Sequence, residues 1–115
     1  MRDPGGMLDE AETRVRVARR FAGALADRAA ALGIGVQLDH VQMGRDLEVC
    51  ARNHIIVAAS ASRDVPLSWE APEFRYRYTT RCLSLEQNLR NEANPDLVTR
   101  ILKRDLGLKE FARMH

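Results

Sequence analysis

The amino-acid sequence predicts an α+β fold: a long N-terminal amphipathic helix, a small mostly antiparallel four-stranded sheet, and two or three C-terminal helices. Three observations carry this expectation. Apolar residues recur at spacings of three and four from Leu8 to Leu32, an alternation of period two occupies the middle of the chain, and helix-opening signals return after Ser84.

The first helix is the clearest element. Leu8, Ala11, Val15, Ala18, Ala22, Leu25, Ala29 and Leu32 form one stripe, with Phe21 beside it. Asp9 is placed as N-cap with Glu12 three residues on, and Gly33 stops the helix. Glu10 with Arg14 and Glu12 with Arg16 stand at i,i+4, pairs that contribute about 0.2–0.5 kcal/mol each. Half of the stripe is alanine, thin for a self-sufficient coiled coil, so packing on the chain's own sheet is the expected use. Residues 1–7 are expected to be a flexible leader, and 8–115 a single α+β domain.

The sheet is read from four runs. Ile34, Val36 and Leu38 alternate with Gly35, Gln37 and Asp39, giving a strand that ends near Met43. Gly44-Arg45-Asp46 then reads as a turn. Leu47–Ala51 and His54–Ser60 are expected to pair across an Arg52-Asn53 hairpin turn. The second of these is apolar on both faces and belongs in the sheet interior. Ala61–Pro72 is a long loop containing Trp69. In Phe74–Cys82 an aromatic side (Phe74, Tyr76, Tyr78) alternates with Arg75, Arg77 and Arg81.

Helices close the chain. Ser84 with Gln87 looks like a capping box opening a helix to about Ala93. Asn94-Pro95-Asp96 is an N-cap, a first-position proline and a first-turn acid. Leu97, Val98, Ile101, Leu102 and Leu106 form the next apolar face, Gly107 closes it, and Phe111 points inward from a last turn or two.

Composition bounds the function. Hydrophobic residues at 45% and charged residues at 30% of 115 describe an ordinary globular chain, and a net charge of +2 does not by itself imply nucleic acid. The opening stretch MRDPGGMLDEAETR has no apolar signal-peptide core. The longest uncharged runs, Ala29–Leu38 and Asn53–Ser62, are half of what a membrane span needs, so the expected location is cytoplasmic, without a membrane. Cys50 and Cys82 are expected to be free thiols serving as small core residues.

No complete catalytic motif is present, and neither a cofactor nor a metal is expected. His40, Cys50, His54 and Cys82 are ligand types, but the hairpin register would send Cys50 and His54 to opposite faces. Cys50, His40 and His54 are the only candidates for a nucleophile or base, and the enzyme question leans to no.

The distinctive feature is the row Arg75, Arg77 and Arg81, suited to phosphates or an acidic protein surface. Arg100, Lys103 and Arg104 extend the basic part: residues 73–115 hold nine Lys/Arg against six Asp/Glu. Trp69 either plugs its loop onto the core or stands as an exposed anchor. The expected function is a non-enzymatic adaptor, inhibitor or regulator that binds another protein through Arg75, Arg77, Arg81 and Trp69. The alternatives are a nucleic-acid-associated protein using the arginine-rich strand and basic C-terminal helices, and a small Cys/His enzyme. A homodimer is a further option. In pattern, a long helix followed by short strands over residues 8–60 is similar to the start of type III secretion chaperones, which implies protein binding. The chain departs from those acidic proteins in its charge, its long loop, its basic strand and its helical end.

Overall fold

The computed structural model describes residues 9–34, 39–61 and 67–114, and within them it is all-helical, without a strand. Five helices follow one another: α1 (Glu10–Ala31), α2 (His40–Ser60), α3 (Pro72–Arg90), α4 (Pro95–Leu102) and α5 (Leu108–Arg113). The expected α+β fold with its four-stranded sheet is therefore corrected to a helical bundle. The likeness to the secretion chaperones loses the strands on which it rested.

The first helix forms as its end signals dictate. The Asp9 carboxylate accepts from the Glu12 amide at 2.8 Å. At the other end Gly33 takes φ +66°, and its amide and that of Ile34 reach back to the carbonyls of Ala30 and Ala29. That is the double-bonded C-terminal closure a left-handed residue permits. The expected i,i+4 pair of Glu10 with Arg14 gives way to pairs between helices: Arg14 reaches Glu48, and Glu10 receives Arg52.

Where a hairpin was expected, α2 is continuous. Arg52 and Asn53 lie in mid-helix, and Gly44 sits in the second turn. Met43, Leu47, Ala51, Ile55 and Ala59 are buried at a strict spacing of four, a helical stripe that the β-branched run Ile55-Ile56-Val57 obscures. The same holds in α3. Phe74, Tyr78, Cys82, Leu85 and Leu89 are buried at spacings of four and three, whereas Tyr76, expected beside Phe74 and Tyr78, is exposed. Ser84 is interior to this helix, so no capping box opens there. Of the strand expected from Ile34 to near Met43, residues 35–38 lie outside the described residues, as does the leader 1–7, and His40–Met43 form the first turn of α2 instead, behind the Asp39 N-cap.

The end of the chain matches expectation more closely. The Asn94 side chain caps α4 by accepting from the Leu97 amide, with Pro95 in the first turn. Arg104, at φ +64°, takes the left-handed position after α4, and Gly107 serves instead as N-cap of α5.

In the assembled bundle, α1 and α2 pack antiparallel along most of their length. Arg52 faces Glu10, Glu48 faces Arg14, and Gly44 faces Ala18 and Ala22. One side of this pair is covered by α3, while α4 touches α1 and α5 lies along α2. Phe21, Leu25, Leu47, Tyr78, Leu85, Leu89, Ile101 and Phe111 meet in the core. No described helix is long and apolar enough to cross a membrane.

Candidate functional site

The side of the α1–α2 pair not covered by α3 carries a groove. Its lining comes from those two helices alone and encloses about 670 Å³. Ala11, Ala18 and Ala22 keep it low, and Val15, Val41 and Val49 stand along it, 49%, 56% and 43% exposed. Three β-branched apolar side chains in water along one helix pair make a contiguous exposed apolar surface rather than scattered singles.

The groove's polar groups divide into two kinds. Arg14 is spent internally: its Nε and Nη2 donate to the two oxygens of Glu48 at 3.0 Å each. The Tyr78 hydroxyl donates to the same carboxylate at 2.8 Å. Three donor contacts satisfy a carboxylate that is otherwise buried. Burial, with the thiol of Cys82 and then Glu48 beside it, pushes the Tyr78 phenol far above its ordinary range. Arg19 and Arg45 are of the other kind. Both are exposed on the groove, and among the described residues neither has an acidic partner.

The residues expected from sequence to bind a partner do not form one row. On a helix, Arg75 points away from the side shared by Arg77 and Arg81. Arg75 donates to the backbone carbonyls of Trp69 at 2.9 Å and Glu70 at 3.1 Å, closing the loop before α3. Arg77 pairs with Glu73 one turn earlier, at 3.0 Å. Arg81 is half-buried, with its Nη1 sealed from solvent and without an acceptor among the described residues. Trp69 is half-buried, its ring edge-on to Tyr78 at 5.8 Å and 79°, which is the loop-plugging alternative. Arg100, Lys103 and Arg104 are exposed at the end of α4.

The chemistry-bearing side chains are arranged differently than the hairpin implied. Cys50 and His54, one helical turn apart, share a side of α2 instead of opposing each other. Among the described residues no three His, Cys, Asp or Glu side chains converge to hold a metal. Burial pushes the Cys82 thiol up to about 12, and burial with Asp46 raises that of Cys50. Both are the reverse of an activated thiolate. Burial, then Arg81 and Arg113, lowers the pKa of His54.

Sequence reasoning missed the groove because it requires knowing that α2 is a helix. Its trace was the small-residue series Ala11, Ala18 and Ala22, of which Ala18 and Ala22 face Gly44. No family model matches the chain, and no curated protein or solved structure shows detectable similarity to it.

Proposed function

We propose that this chain is a non-enzymatic adaptor or regulatory protein that docks an acidic amphipathic helix of another protein in the α1–α2 groove. The observation that carries the reading is the pairing of exposed Val15, Val41 and Val49 with Arg19 and Arg45, which have no acidic partner among the described residues, around one groove. An apolar trough accepts the apolar face of a helix, and flanking cations select carboxylates along its edges. With α3 on the opposite side, the open side of α1–α2 can take one further helix.

Charge argues for a different protein rather than a second copy. A two-fold contact through this groove would put the arginines of both copies, Arg19 and Arg45 twice over, on one contact surface. The nucleic-acid alternative draws on fewer free cations than the sequence promised, because Arg75 and Arg77 are held by internal acceptors. A cytoplasmic setting is part of the reading, supported by two free cysteines.

The test is photo-crosslinking from position 49 in cells of the native host, with position 83 on α3 as an exposed control. A discrete protein adduct at 49, lost in Arg19→Glu/Arg45→Glu, is expected. Adducts that are the same from both positions, or that survive the charge reversal, would argue against docking in the groove.

A further inference from the structure

A cavity of about 240 Å³ lies between the first half of α2 and the connection from α4 to α5, and it shares no lining residue with the α1–α2 groove. Its wall is apolar: Met43 of α2, Ile101 of α4, Leu106 of the connection and Leu108 at the start of α5. Met43, Ile101 and Leu106 are buried, and Leu108 is half-buried. The two charged residues that line it are exposed and opposite in sign, Asp46 from α2 and Arg104 from the turn after α4.

Local structure holds both charges at this cavity. The Asp46 carboxylate accepts from the Gln42 side-chain amide one turn earlier, at 2.8 Å. Arg104 occupies the left-handed position that ends α4, at φ +64°. Its amide returns to the Ile101 carbonyl at 3.1 Å and that of Asp105 to the Arg100 carbonyl at 2.8 Å, a closure that ordinarily employs glycine. An arginine here strains the backbone relative to glycine, and its side chain lines the cavity. Among the described residues neither Asp46 nor Arg104 forms an ion pair, with the other or with a third residue. Opposite charges on one rim thus stay apart, each with capacity for a further partner.

We infer that this cavity is a binding site for a free aliphatic α-amino acid. Such a molecule carries an ammonium and a carboxylate on one carbon: Asp46 accepts from the first, and the Arg104 fork donates to the second. The side chain then lies against Met43, Ile101, Leu106 and Leu108, out of water. Size agrees, because an apolar cavity of about 150 Å³ holds a benzene-sized body, and this one has room for a branched side chain with its head groups. The site does not depend on docking in the groove.

The test titrates the full chain, carrying isotope-labelled methionine methyl groups, with L-leucine and follows it by NMR. Met43 reports from the cavity wall, and Met114, 50% exposed, is the control. The site predicts a saturable shift of the Met43 methyl while that of Met114 stays put. Isocaproate, which lacks the ammonium, and isoamylamine, which lacks the carboxylate, should each bind about tenfold or more weakly than leucine. Asp46→Asn and Arg104→Gly should weaken leucine binding by a similar factor. Arg104→Gly should also unfold at a temperature no lower than wild type, since glycine suits the left-handed position. A purely structural arginine would give that same stability with leucine binding unchanged. Absence of a saturable Met43 response to leucine would overturn the site. Isocaproate or isoamylamine binding as tightly as leucine would overturn the recognition of both head groups, and the assignment with it. So would undiminished leucine binding by Arg104→Gly or, should that variant fail to fold, by Asp46→Asn.

Discussion

Gly44 of α2 lies directly against Ala22 of α1: a Cβ at position 44 would stand 2.8 Å from the Ala22 amide nitrogen and 2.9 Å from its Cβ, with the Ala18 carbonyl oxygen closer still. The obstruction is mostly backbone, so no side-chain rotation relieves it. Mid-helix glycine ordinarily costs about 0.5–1 kcal/mol relative to alanine, and here the close approach reverses the preference. Gly44→Ala should destabilise the fold by about 1–3 kcal/mol or more, and Ala22→Leu by a similar amount, as read by denaturant unfolding. A neutral or stabilising Gly44→Ala would mean that α1 and α2 do not cross here.

This crossing also shows what the sequence could and could not disclose. The end signals of α1 and α4 were legible because they are local: Asp9, Gly33, Asn94 and Pro95 act on backbone within a turn of themselves. The bundle's middle was not. In Phe74–Cys82 the residues Phe74, Tyr78 and Cys82 satisfy period two and spacing four alike, and only Leu85 and Leu89 further on decide between them. In α2 a β-branched run and a glycine both favoured strand and turn locally, and tertiary packing overrode them. At the groove, the spacing puts Val15 in the packed stripe, yet it is exposed, a distinction that depends on which helix faces α1.

The Glu48 network joins three helices through one carboxylate. Tyr78→Phe removes one donor and should cost about 1–3 kcal/mol. Glu48→Gln should cost a comparable amount, reduced by the partial exposure of Arg14. Because both act on one group, the double variant should fall short of the sum, by about 0.5–3 kcal/mol in a double-mutant cycle. Strict additivity would place Tyr78 outside the network.

Glu86 sets an acid limit on the α1–α3 contact. Burial raises its pKa, but hydrogen bonds from Arg20 at 2.6 Å and Arg90 at 3.0 Å prevail and hold it below the ordinary 4.5. A carboxylate depressed in the folded state stabilises above its unfolded pKa, and that contribution is lost as pH falls through the folded value. Wild type should therefore exceed Glu86→Gln in stability at pH 7. The gap should narrow below about pH 4.5, in paired unfolding curves across that range. A gap independent of pH would mean that the carboxylate charge is not what joins the helices.

The two thiols should differ in access while sharing low reactivity. Cys50 is half-buried and Cys82 is buried with its thiol pushed up to about 12. At neutral pH an alkylating reagent should label Cys50 slowly and Cys82 only on unfolding, as mass spectrometry of timed samples would show. Rapid labelling of Cys82 in the native protein would contradict its place beside Tyr78 in the core.

The measurement closest to the proposed function is the affinity of the purified chain for the protein cross-linked at position 49, compared between wild type and Arg19→Glu/Arg45→Glu at several salt concentrations. Docking of an acidic helix predicts a loss of about tenfold or more on charge reversal, with the wild-type affinity falling as salt rises. Equal affinities for the two proteins, with no dependence on salt, would contradict it.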